Sequence, residues 1–196
     1  MSRESQAAKA EVPAEVVADA LWQAIRSYEL DPEGAEIAFA GRLAAENGWP
    51  SAYARAAIEE YRRFCYLAMT AGHTVVPSDE IDQVWHLHLL YSERYWNDFC
   101  GNVLGRPFHH VPALGGAEDA DRHRRLYAKT LSSYEKAFGT RPPAALWPET
   151  AERFRHAGAH RRVNTADYVV IPRLDKPKRI GLAVCIIGLI IAIATL

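Results

Sequence analysis

Residues 78–110 read SDEIDQVWHLHLLYSERYWNDFCGNVLGRPFHH, and they decide the fold. Four of the eight histidines and two of the five tryptophans fall inside this stretch. Ser78 followed by Asp79 and Glu80 is a strong helix start, a hydroxyl cap with acids in the first turn. Ile81 stands behind the cap, and Gly105 ends the run. The spacing predicts one helix from Ser78 to about Leu104, with an ordered loop over 106–116.

The flanking segments carry the same helical period. Pro13 opens a first helix with Val16, Val17, Ala20, Leu21, Ile25 and Tyr28 on one side, ending near Leu30. Asp31-Pro32-Glu33 opens a second, with Ile37, Phe39, Leu43 and Ala44, and Asn47-Gly48 stops it. A third begins at Pro50-Ser51 and carries Ala57, Ile58, Tyr61, Phe64, Cys65, Leu67 and Ala68 to Gly72. After the fourth, Glu118–Phe138 forms a fifth, with Leu126, Tyr127, Thr130, Leu131, Tyr134 and Phe138 on one side. Residues 73–77 form a short loop or strand, and residues 149–156 one short helix. Trp49 and Trp147 sit beside prolines and clamp their loops. The fold class is therefore mainly α: a compact bundle of about five helices with ordered loops, an extended linker, and one C-terminal transmembrane helix. The domain boundaries are a flexible arm over 1–12, a helical soluble domain over 13–157, a basic linker over 158–179 and a membrane tail anchor over 180–196.

Composition narrows the classes. Hydrophobic residues make up 49% of the 196, enough for a buried core. The net charge is −1, yet residues 153–179 hold eight Arg or Lys against two Asp. An acidic domain on a basic stalk does not suit a nucleic-acid binder. Three cysteines, one of them Cys185 in the apolar tail, do not make a disulfide framework. The polar segment 1–12 is no secretory signal.

Ile180–Leu196 reads IGLAVCIIGLIIAIATL, without a charge. As a helix it spans about 25 Å at 1.5 Å per residue, at the short end for a hydrocarbon core of about 30 Å. Arg173, Lys176, Lys178 and Arg179 precede it, so the positive-inside rule keeps the helical domain in the cytoplasm. The chain is then a single-pass, tail-anchored protein of the cytoplasmic membrane, with the lipid bilayer as its first partner. Gly181, Cys185, Gly188 and Ala192 share a face that lets another membrane protein approach closely.

The chemistry centres on histidine. His86 and His88 differ by about 200° around a helix, so they cannot share one ion. Asp82 and His86 lie one turn apart, with Glu93 roughly on their side, and His109-His110 arrive from the following loop. Neighbours in an extended loop point apart, so one of the two joins His86. Asp82, His86 and His109 or His110 make a His₂-carboxylate set suited to zinc or non-haem iron. Glu59 and Glu60 offer a further oxygen if their helix lies alongside. The competing reading has the histidines hydrogen-bonded within the core and closing the loop. Cys65 and Cys100 sit on apolar faces, where thiols react poorly, so a Cys100–His nucleophile is the weakest option. Arg62-Arg63 reads as a solvated edge or as ion-pair partners of the acidic fourth helix.

The runs EEYRRFCYLA, VVPSDEIDQVWHLHLLYSERYWNDFC, LGRPFHHVP and SYEKAFGTRPPAALWP resemble a domain of unknown function. That domain stands at the N-terminus of plant glycine-rich-domain proteins and in many bacterial proteins. The resemblance covers about Ala35 to Phe154. Its D-x-x-W-H-x-H and H-H-x-P elements fall on Asp82, Trp85, His86, His88, His109, His110 and Pro112. It implies a distinct helical domain and brings no activity with it. The plant proteins' glycine-rich tail is replaced here by the apolar tail. Two functional expectations follow: a non-enzymatic membrane-anchored accessory or adaptor protein, or a metal-dependent enzyme or metal sensor built on the fourth helix and the HH loop.

Overall fold

The computed structural model describes residues 12–155, which form seven α-helices and one π-helix, with no strand among them. The chain divides into two units, and the described residues all belong to the first, which ends at Ala157. The expected arm, basic linker and membrane tail lie outside the described residues. Among those described, no helix is long and apolar enough to cross a membrane.

The helical class is as expected, and the five expected helices resolve into more pieces. The first splits into α1 (Ala14–Val17) and α2 (Ala20–Ser27). Asp19 makes the break, because its carboxylate accepts from the Leu21 and Trp22 amides and restarts the helix. The second begins late, as α3 (Phe39–Asn47), since Asp31 reaches across the turn to accept from the Phe39 amide. Gly48 then closes α3 at φ 63°. α4 (Ser51–Thr70) follows, the helix against which α2, α3, α5 and α6 all lie.

α5 (Asp79–Leu90) starts as expected, with the Ser78 hydroxyl accepting from the Ile81 amide at 3.2 Å. It does not run to Leu104. Tyr91 leaves helical geometry at ψ 54°, and a π-helix (Arg94–Val103) takes over. The wider turn of the π-helix puts Tyr95, Phe99 and Cys100 together in the core. Arg94 fixes its start by donating to the carbonyls of Glu29 and Asp31. α6 (Ala117–Phe138) ends at Gly139 in the left-handed region, and α7 (Thr150–Arg155) lies against α6.

Two buried polar groups tie the layers. Glu60 accepts from Arg63 at 3.0 Å and from the Trp147 indole at 3.0 Å, and Arg63 also donates to the Tyr134 hydroxyl. Burial pushes the Glu60 carboxyl up, against the pull of Arg63. Thr130 Oγ1 accepts from the Val76 amide at 2.9 Å, which lays the 73–77 loop over α6. Trp147 is buried and clamps its loop as expected, while Trp49 is half-buried against Tyr53. Arg62 and Arg63 correct the sequence expectation. Neither is a solvated edge: Arg62 donates to the carbonyls of Ile25 and Tyr28, and Arg63 is buried.

Candidate metal centre

Trp85 is the post on which the site is built. It is buried on α5, and its indole N–H donates to the Tyr95 hydroxyl at 2.8 Å. The Tyr95 hydroxyl in turn donates to the carbonyl of Phe108. The Phe108 ring stacks on Trp85 at 4.2 Å with a 15° interplanar angle. Two hydrogen bonds and one ring stack therefore pin the loop after the π-helix back onto α5.

That anchoring aims the next two residues in different directions. His109 is exposed and lies against Trp96, ring centroids 5.1 Å apart. His110 turns inward, and its Nε2–H donates to Asp82 Oδ1 at 2.8 Å. Its ring meets Trp85 edge-on at 4.6 Å and His86 at 4.6 Å. His86 Nε2 stands 3.6 Å from Asp82 Oδ2, one turn along α5. The hydrogen bond to Asp82 raises the His110 pKa above its ordinary value, against an opposing effect of burial.

Asp82, His86 and His110 thus form one group, their ligand atoms within 4.8 Å of one another. Tetrahedral coordination at 2.0–2.1 Å sets ligand atoms about 3.3 Å apart. The two spacings to Asp82, 2.8 and 3.6 Å, straddle that value. His109 does not belong to the group. Neither does Glu93, which precedes the π-helix and is exposed. Glu60 is committed to Arg63 and Trp147, and Glu59 is 3.6 Å from Arg62. His88 goes the other way, into the core, with Nδ1 3.0 Å from the Tyr61 hydroxyl. Cys65 and Cys100 are free and buried, with thiol pKa values pushed up by burial, which removes them as nucleophiles.

A cleft of about 670 Å³ opens beside the group, walled by Asp82, Trp85 and His110 on one side and by Arg122, His123 and Arg153 on another. The sequence reading missed this cleft and the Trp85–Tyr95–Phe108 support. Trp85 and Tyr95 are ten residues apart, and only the break at Tyr91 brings the second back to the first. The cleft wall from α6 and α7 had no local signal at all.

No curated protein and no solved structure matches the chain. Residues 14–133, more than half of the sequence, match an uncharacterised family, and they include the three grouped side chains and the residues that position them. The chain belongs to the UCP032817-like family.

Proposed function

We propose that this domain is a metal-dependent enzyme holding a divalent ion, zinc before iron, through Asp82, His86 and His110. The observation that carries the reading is the convergence of two imidazoles and a carboxylate, of which Asp82 and His110 also line a cleft. Structural zinc sites use four protein ligands, whereas catalytic ones use three and leave a position for water or substrate. Three ligands beside a cleft fit the second kind. A zinc ion held by Asp82, His86 and His110 would supply Lewis acidity and make a nearby water more acidic. Trp85 and the pinned loop supply the rigid support that such a site needs.

Elemental analysis of the full chain in detergent tests this. One zinc per chain is expected, lost in His86→Ala and in His110→Ala and kept in His109→Ala. A chain that takes up no zinc overturns the reading and leaves an imidazole–carboxylate cluster that only stabilises the loop.

The accessory or adaptor reading has its own support, from sequence: the uncharged run Ile180–Leu196 behind Arg173, Lys176, Lys178 and Arg179. We propose that this tail holds the domain on the cytoplasmic face of a membrane, with Gly181, Cys185, Gly188 and Ala192 facing a second membrane helix. Deleting residues 180–196 then moves the chain from the carbonate-resistant membrane fraction to the supernatant. Fractionation with the supernatant before deletion counts against it. We further propose kinship with the N-terminal domain of plant glycine-rich-domain proteins, supported by the D-x-x-W-H-x-H and H-H-x-P elements.

A further inference from the structure

We propose that the cleft beside the metal group takes a phosphate ester, held by Arg153 and Arg106 with its phosphoryl oxygens toward the ion. This names a substrate class for the site proposed above and rests on that reading.

The charge on the cleft wall carries the inference. Among its lining residues Asp82 is the single acid, against three arginines and four histidines. Several of these side chains already have partners. Arg122 donates to Asp119 at 2.7 Å, and His123 faces the same carboxylate at 3.3 Å. His73 is bonded to Ser133 at 2.7 Å. Arg153 and Arg106 are different.

Arg153 is a prepared anion ligand. Its guanidinium lies over the rings of Tyr127 and Phe154 at 4.7 and 4.6 Å, which fixes the plane of the fork. Its contact with Asp79 is loose, at 3.4 Å, and its Nε is buried with no hydrogen-bond partner among the described residues. A buried donor of a charged group left without an acceptor is costly. An anion in the cleft meets the terminal nitrogens of the guanidinium rather than this enclosed Nε. Asp79 and Asp82 are three residues apart on α5, about 4.5 Å of helical rise, so Arg153 is paired to the same turn that carries the metal carboxylate. Arg106 is exposed, lines the cleft from the loop that carries His110, and forms no ion pair among the described residues.

With an ion in place, the cleft lining sets Asp82 alone against a divalent cation, Arg106 and Arg153, whose one carboxylate contact is with Asp79 outside that lining. A carboxylate ligand brings one charge and two oxygens, too few for three cationic contacts. A phosphate monoester brings nearly two charges and three terminal oxygens, which suit two arginine forks and an open metal position.

The full chain in detergent, loaded with cobalt(II), tests the proposal by titration with phenyl phosphate, read from the visible cobalt bands. A saturable band shift is expected, with affinity at least tenfold weaker for benzoate. Arg153→Gln is expected to weaken phenyl phosphate at least tenfold, and Arg106→Gln by a smaller factor, with cobalt stoichiometry unchanged in both. If Arg153→Gln loses its helical circular dichroism, Arg106→Gln at its exposed position decides the matter. Bound cobalt with no response to phenyl phosphate, or a response neither arginine variant weakens, overturns the phosphate inference alone. A chain that binds no cobalt overturns the metal reading and this inference together.

Discussion

His86 and His88 are two residues apart on α5 and live in different media. His88 is 1% exposed, ringed by Tyr28, Phe39, Tyr61, Tyr95 and Phe99. His86 has 48% of its side chain exposed and faces the Asp82 carboxylate. Burial, reinforced by Arg94 and Arg62, lowers the His88 pKa to about 3, while Asp82 raises that of His110, the neighbour of His86. The contrast teaches what a histidine needs in order to do chemistry. Aromatic neighbours make it neutral and structural. A carboxylate partner at an exposed edge keeps its nitrogens available for a proton or an ion.

Truncation breaks this contrast most sharply. His88→Ala removes a packed ring and the partner of the Tyr61 hydroxyl, and is expected to cost about 2–5 kcal/mol. His86→Ala, measured without metal, is expected to stay within about 0.5 kcal/mol. Urea midpoints at unchanged m-value read both. Equal losses for the two variants would erase the distinction between the faces.

Acid sharpens it next. The folded pKa of His88 is about 3, below the ordinary 6.5, so the unfolded chain takes the proton first as pH falls. The stabilising effect is complete above 6.5, is lost progressively below it, and levels off near 3. The slope from this one group approaches about 1.4 kcal/mol per pH unit. The buried Nε2, without a partner among the described residues, adds to the cost of protonation, since an imidazolium there buries a second N–H. His88→Asn is expected to flatten that part of the stability–pH curve. A curve of unchanged slope in the variant assigns the acid sensitivity elsewhere.

The sequence showed part of this and hid part, for physical reasons. The boundaries of α4 and α6 were legible because Pro50-Ser51, Gly72 and Gly139 act locally and the apolar period between them is clean. The break at Tyr91 was hidden: Tyr91-Ser92-Glu93 holds neither Pro nor Gly, and what fixes the new helix is Arg94 donating to carbonyls more than sixty residues upstream. The late start of α3 was hidden for the same reason, an Asp31 cap on an amide eight residues away. At the site, the Asp82–His86 pair followed from one-turn spacing, and so did the separation of His86 from His88. The choice of His110 over His109 did not, because it depends on how Phe108 stacks on Trp85. Glu60 looked available from its helix position, but two long-range partners, Trp147 and Tyr134, draw its Arg63 pair into the core.

Tyr95 links the two environments, since one face of its ring meets His88 while its hydroxyl holds the His110 loop. Tyr95→Phe keeps the ring and removes both hydroxyl bonds, leaving the Trp85 indole N–H buried and unpaired. A loss of about 1–3 kcal/mol is expected. Zinc affinity should fall alongside, because a loosened loop no longer presents His110. A variant that loses stability and keeps its zinc affinity would show that the Trp85–Phe108 stack alone sets the loop.

The smallest expected effect separates the paired loop histidines. His109 is exposed, touches Trp96 at 5.1 Å between ring centroids, and has no part in the Asp82 group. His109→Ala should change the urea midpoint by less than about 0.5 kcal/mol. His110→Ala, measured metal-free in the same buffer, should cost more, because it removes a hydrogen bond to an ionised carboxylate and an edge contact with Trp85. The difference between the two is largest where His110 is still protonated. It shrinks as pH rises through the raised pKa of His110, since the stability gained by a raised pKa is present below it and lost above. A pair of variants that match at every pH would mean that both loop histidines meet the same surroundings, and that the inward turn at His110 is not what holds Asp82.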